Sequence, residues 1–409
     1  MRIAVVMSTF PALSETFILN QITGLIDRGH DVDIYAERPS SNRKAHPDVE
    51  KYDLLKRTYY FARPESYSLR LMRGVRLVLT NFFKNPVITL QSLNAFQYGR
   101  AATSLALLYA ITPFLRRPTY DIIHCHFGPN GINAAMLKEI GILRGKLITT
   151  FHGYDATSYP QMHGKEAYKH LFSKGDIFTG GTHFMINKVV ALGCPEYKII
   201  KHPVGVNISE YKFKERTLLE NQKVKVLTVG RLVEKKGIEY SIRAIAEVAK
   251  VFPNIHYSIV GDGLLHEQLK KLISDLKVED TVKLLGWKTQ DEVRQFYADS
   301  SIFVLSSVTT ASGDQEGQGL VLQEAQAMGM PVISTLHNGI PDGVLDGESG
   351  FLVPERDVNA LTNKLLYLIE HPEKWAEMGK AGRKFVEEKF DIDILNDQLV
   401  KIYKEAVNE

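Results

Sequence analysis

The chain has 409 residues, 44% of them hydrophobic, with 50 Lys and Arg against 47 Asp and Glu and a net charge of +3. That length and apolar content suit two or three domains with a buried core each, and the near-balanced charge gives no reason to expect nucleic acid as a partner. Cys125 and Cys194 are the only cysteines; they are too few for a disulfide framework and stand in no metal-ligand spacing, so a reducing cytoplasm is the expected compartment.

Arg2–Met7 reads as a short strand running into a loop and not as a signal peptide. Apolar strands then alternate with helical stretches. They are expected near Ile3–Met7, Val32–Ala36, Ile122–Cys125, Leu147–Phe151, Ile177–Gly180 and Lys198–Lys201, and again near Val224–Val229, His256–Val260, Val282–Leu284, Ile302–Leu305 and Pro331–Ser334. Two such series predict an α/β protein of two Rossmann-like, doubly wound domains facing each other across a cleft, spanning 1–205 and 206–390. His202 to about Gln222 reads as the linker, and residues 391–409 hold a closing helix from about Ile394 to Ala406. The longest apolar run, Leu105–Leu115, is too short to cross a bilayer.

Between Arg63 and Arg117 eight basic residues face one acid, Glu65. Projected as a helix, Arg70, Arg73 and Arg76 take one flank and Leu71, Met72, Val75, Val78 and Leu79 another. Such a stretch suits an anionic membrane surface; the alternative is that the apolar flank packs on the first domain. Further on, His124 and His126 straddle Cys125 on one strand face, with no third ligand for a metal; His126 is expected to line the cleft and His124 to pack. Phe151-His152-Gly153-Tyr154-Asp155 closes a strand and puts His152 at its carboxyl end.

In the second half, Val224–Val229 leads into Gly230, Arg231, Lys236 and Gly237, a turn whose two basic residues are five apart, before a helix from about Ile238. Arg231 and Lys236 can point at one anion, each charge-assisted bond contributing about 1.5–3 kcal/mol, while Lys235 reads as a solvated charge. Gly261-Asp262-Gly263 reads as a plain turn. Glu316 and Glu324 then bracket Gly317, Gly319 and the start of an apolar helix. Loop plus helical rise holds the two carboxylates roughly 10 Å apart, the span of a nucleotide sugar. A diphosphate fits the helix N-terminus at Gly319, Leu320 and Val321, leaving one glutamate for the sugar and the other for the ribose. Asp31/Asp33 and Asp391/Asp393 are not read as metal sites. With these cations and a helix N-terminus available, no metal is required.

Gly230-Arg-Leu-Val-Glu-Lys-Lys-Gly237 followed by Glu316-x7-Glu324 resembles the signature of the retaining glycosyltransferases of family 4, which have the GT-B fold. Phe10-Pro-Ala-Leu-Ser-Glu-Thr-Phe17, Thr150–Asp155 and Gly313–Gly317 resemble the bacterial exopolysaccharide branch, including colanic-acid-type transferases. The resemblance implies transfer of a sugar, with retention, from a nucleoside-diphosphate sugar to a glycan or lipid-linked glycan acceptor. No cofactor is implied, and the enzyme would be cytoplasmic or peripheral on the inner face of the plasma membrane. It places His152 beside the reacting sugar, Glu316 on sugar hydroxyls, Glu324 on the ribose, and Trp287 with Lys288 at the base, where buried packing is the other reading of Trp287. Ser8–Thr16 replaces the glycine-rich loop of many relatives, and its Ser14, Glu15 and Thr16, with His126 and Asp155, are expected on the sugar or acceptor side. The alternatives on this fold are a sugar phosphorylase, a nucleotide-sugar epimerase and a non-catalytic nucleotide-sugar binding module.

Overall fold

The computed structural model describes residues 1–409 except 13–14, 41–45, 116, 118, 219–221 and 409. The chain forms two compact units, one of Met1–Gly180, Ile186–His202 and Asn396–Glu409, the other of Gly181–Met185 and Pro203–Leu395.

The first unit is built on seven parallel strands: β1 (Arg2–Phe10), β2 (Asp31–Pro39), β3 (Thr58–Tyr60), β4 (Ile122–His126), β5 (Lys146–Phe151), β6 (Ile177–Gly180) and β7 (Ile199–Lys201), in the order β3-β2-β1-β4-β5-β6-β7. A parallel sheet covered on both faces needs strands without a solvent side. β4 meets this, being buried at every position. Ile18, Ile22 and Leu25 from the helix Thr16–Asp27 pack on Ile3, Val5 and Ile122 together with Leu399 and Tyr403 from the helix Ile392–Asn408. The latter helix approaches Gly24 so closely that an added Cβ there would lie 2.0 Å from Asn396 Nδ2. Asp33, buried on β2, accepts hydrogen bonds from Arg2 at 2.9 Å and from the Tyr120 hydroxyl at 2.6 Å.

The second unit holds β8 (Val224–Val229), β9 (Ile255–Val260), β10 (Val282–Leu284), β11 (Ile302–Leu305), β12 (Val332–Thr335) and β13 (Gly350–Val353), all parallel, in the order β10-β9-β8-β11-β12-β13. The helix Ile238–Val251 buries Ile238, Ile242, Ile245 and Val248 against this sheet, and Trp375, fully buried, donates its indole N–H to the Leu368 carbonyl at 2.7 Å. Strand order reverses between β1 and β4 in the first unit and between β8 and β11 in the second. Ligands of open parallel sheets sit at such a reversal, outside the carboxyl ends. In the second unit the loops at that point are the ones after β8 and β11, which carry Gly230–Gly237 and Glu316–Gly319. Strands β3 and β13, both at sheet edges, are not among the expected ones. Among the described residues no helix is long and apolar enough to cross a membrane.

Candidate active site

After β8 the chain turns through Gly230 and Arg231 into a single 3-10 turn, Glu234–Lys236, closed by Gly237 with φ 58°. A Cβ at position 237 would lie 1.8 Å from the Ser306 carbonyl oxygen, so glycine is what lets the loops after β8 and β11 touch. Lys236 lays its stem over Gly230 and sets its ammonium 2.5 Å from Glu316 Oε2. The pair joins the two motifs. Both side chains are mostly buried, at 12% and 15% exposure. Burial alone would raise the Glu316 carboxyl; the Lys236 charge outweighs it and holds the group below its ordinary value. Arg231 is exposed and, among the described residues, in no ion pair. Lys235, by contrast, is not the solvated charge expected. It is largely buried and reaches Asp314 Oδ1 at 3.1 Å and the Gln315 carbonyl at 3.4 Å, fastening the acidic loop to the basic one.

Gly319, left-handed at φ 73°, opens the helix Leu320–Ala327, whose first N–H groups have no intrahelical acceptor. Glu324 lies one turn into it. Its Oε2 accepts a 2.9 Å bond from the buried Tyr297 hydroxyl, and Tyr211 bonds it as well. Burial raises the Glu324 carboxyl despite these hydroxyls and despite Lys236, whose charge acts on both glutamates. Neither tyrosine carries a signal in the sequence.

A second support was equally hidden. His337, with no exposed side-chain surface, accepts the Glu316 backbone N–H on Nε2 at 3.1 Å and donates from Nδ1 to Glu355 Oε1 at 2.5 Å. Glu355 also accepts the Thr309 N–H at 2.8 Å. This relay fixes the tautomer and anchors the Glu316 loop to the segment after β13. His337→Ala leaves an amide and a carboxylate short of a partner, and a stability loss of about 1–3 kcal/mol is expected by denaturant titration. kcat should fall with donor KM nearly unchanged, and His337→Gln should restore part of it. A variant with wild-type kcat would make the relay irrelevant to Glu316.

Trp287, 61% exposed, is not packed in the core, which removes the buried reading, and Lys288 stands 3.6 Å from Glu292. Gly261 lets β9 end against β8, since a Cβ there would lie 1.9 Å from the Gly230 carbonyl oxygen; Gly261–Gly263 is not the plain turn expected, because Gly261 bridges Gly286 and the Asp262 carbonyl accepts the Leu232 N–H at 3.0 Å.

In the first unit His152 follows β5, with its ring 4.9 Å from Phe17, 4.7 Å from Phe127 and its Nε2 3.1 Å from His126 Nδ1. Burial pushes the His152 imidazole down to about 3, which leaves it neutral at physiological pH. His126 is 2% exposed, unlike the exposed lining residue expected; its Nδ1 meets His152, and its Nε2 is buried with no hydrogen-bond partner among the described residues. His124 packs as expected, between the Tyr403 hydroxyl at 2.6 Å and Thr150 Oγ1 at 2.7 Å. Asp155 is fully buried, which removes it from the acceptor side. Its Oδ1 accepts the His152 and Gly153 N–H groups at 3.0 and 2.8 Å and its Oδ2 the Gly128 N–H at 3.0 Å, so it shapes the His152 loop. Glu15 precedes the helix beginning at Thr16; its Oε2 is buried with no hydrogen-bond partner among the described residues, and burial raises its carboxyl. Ser14 lies outside the described residues.

Two family models match the chain, one described as Glycosyltransferase Family 4 over residues 14–210 and one as Glycosyl transferases group 1 over 209–385. An amylovoran biosynthesis glycosyltransferase of Erwinia amylovora is 35% identical over 406 residues, covering 98% of this chain and 99% of the relative. A protein of Escherichia coli K12 named for colanic acid biosynthesis is 34% identical over 407 residues, covering 98% and 99%. Among solved structures, Anabaena HepE in complex with UDP and glucose superimposes with a TM-score of 0.73 at 18% identity, covering 99% of this chain and 100% of that one. With this full-length likeness, and with two Rossmann-like units of the GT-B type, the chain belongs to glycosyltransferase family 4.

Proposed function

We propose that the protein transfers a sugar from a nucleoside diphosphate to a hydroxyl of a glycan or lipid-linked glycan acceptor, with retention at the anomeric carbon, in cytoplasmic steps of exopolysaccharide biosynthesis. The observation that carries this is Lys236, paired with Glu316 and acting electrostatically on Glu324 beside a helix N-terminus. The bond from the anomeric carbon to the leaving diphosphate oxygen breaks as negative charge builds on the diphosphate. Lys236, Arg231 and the first N–H groups of the helix Leu320–Ala327 are the groups to stabilise that charge. Glu316 would hold sugar hydroxyls, Glu324 the ribose, and the exposed face of Trp287 the base. His152 is assigned to the reacting sugar on the family resemblance. The acceptor hydroxyl attacks on the face the diphosphate leaves, its proton passing to the departing phosphate oxygen, which keeps the configuration.

That HepE holds UDP and glucose supports a nucleotide-sugar donor here. Thermal-shift titration with UDP-, GDP-, ADP- and dTDP-sugars should single out one base, and nucleoside diphosphate should be released only with acceptor present. Release of sugar phosphate on adding phosphate would point to a phosphorylase instead. Because Arg231 and Lys236 supply the cations, full activity is expected in EDTA. A loss restored by Mg²⁺ or Mn²⁺ would contradict that part of the mechanism.

A further inference from the structure

The helix Tyr67–Phe82 leaves more of its long apolar side chains in solvent than an ordinary surface helix does. Its fully buried positions are Gly74 and Asn81, with Leu69, Leu77 and Val78 half-buried beside them; an added Cβ at Gly74 would lie 2.7 Å from Leu105, and Asn81 donates to Thr112 Oγ1 at 3.1 Å. Leu71, Met72, Val75, Leu79 and Phe82 recur at helical spacing on the outer side, 42–65% exposed, and Phe83 follows at 84%. Val87 and Leu90 on the next helix, Pro86–Gln91, extend the patch at 61% and 59%. Long apolar side chains in solvent beside a buried glycine are a costly arrangement for a helix whose final surroundings are water.

The charges beside this stripe are of one sign. Arg73 and Arg76 are exposed next to it on the helix. Lys84 follows Phe83 and, with Arg117 and Arg144, lines a cavity of about 310 Å³ that also takes in Asn85 and Tyr120. Glu65 is the only acid between Arg63 and Arg117. An apolar stripe bordered by cations is complementary to a surface with an apolar interior and an anionic rim.

We infer that this face of the first unit docks on an anionic lipid bilayer, with Leu71, Met72, Val75, Leu79, Phe82 and Phe83 entering the acyl boundary and Arg73, Arg76 and Lys84 on the headgroups. The protein is to be sedimented with phosphatidylcholine vesicles with and without phosphatidylglycerol, in low and high salt, in the absence of donor and acceptor, so that failure here and failure of the transferase reading remain distinguishable. Binding is expected only to the anionic vesicles and should weaken with salt. Arg73→Glu with Arg76→Glu should lower partitioning about tenfold or more, as should Val75→Asp with Leu79→Asp, since every one of these side chains is exposed. Nucleotide affinity should be unchanged in all of them. Phe83→Trp provides an independent reading: its emission should shift to the blue on anionic vesicles and be quenched by brominated lipid. Absence of binding at low salt overturns the assignment, as does equal binding by wild type and variants. So does a concentration-dependent dimer, abolished by Val75→Asp with Leu79→Asp in a protein that ignores vesicles, because the face would then be covered by a second copy.

Discussion

Lys236→Ala is expected to lower kcat/KM about 10²–10³-fold, the range seen when one preorganised donor to a developing negative charge is removed. The same change should also destabilise the free enzyme, because Glu316, 15% exposed, would lose the ammonium beside it. Arg231 gives the contrast. It is exposed and in no ion pair among the described residues, so Arg231→Ala should leave stability alone and weaken nucleoside-diphosphate binding by about tenfold or more. Acid separates the two further. A carboxyl held below its ordinary value contributes stability that is present above its unfolded pKa and lost as pH falls through the folded one. Without Lys236, burial is opposed only by Lys235 and His337, so Glu316 should titrate higher than in the wild type and the loss of stability in acid should shrink. Denaturant midpoints across the acid range read this directly, and wild-type kinetics in both variants would remove the two residues from the diphosphate site.

Glu324→Ala and Glu316→Gln should fail in different ways. A ribose contact is present before and during reaction, so its loss should raise the donor dissociation constant and KM with kcat less affected. A contact to the sugar that tightens as charge develops on the ring should instead show as a loss of kcat with KM nearly constant. The opposite carboxyl shifts add a pH signature. Burial holds Glu324 above its ordinary value, whereas Lys236 holds Glu316 below it, so Glu324 is protonated first as pH falls. Donor KM should therefore rise at a higher pH than kcat declines. The reverse order, or the reverse split between the two variants, would exchange the roles.

The sequence showed the strands where apolar runs were long enough to need burial on both faces. β3, three residues at a sheet edge, and β13, four residues beginning with glycine, carry too little pattern to stand out. Charged residues in glycine-bearing turns were equally visible, and the fold brings Lys236 of one such loop onto Glu316 of the other. Their supports were not visible. Tyr211, Tyr297, His337 and Glu355 come from other elements, and only folding brings them to the glutamates. For His126 and Asp155 the strand-end position was right, but a sequence does not say whether a polar group at such a point meets a ligand or the backbone; Asp155 uses both oxygens on backbone N–H groups. Lys235 failed for the converse reason, because a lysine in a loop reads as solvated until Asp314 is seen beside it. The helix Tyr67–Phe82 was legible as basic and amphipathic, yet which side faced inward depended on Gly74 and Asn81.

The most direct test of the central claim is a crystal structure of the protein with the nucleoside diphosphate that the thermal-shift panel selects. The diphosphate is expected within hydrogen-bond distance of Lys236, Arg231 and the N–H groups of Leu320 and Val321, with the ribose hydroxyls on the Glu324 carboxylate and the base against Trp287. A nucleotide whose ribose lies away from Glu324, or whose diphosphate touches neither Lys236 nor Arg231, would contradict it.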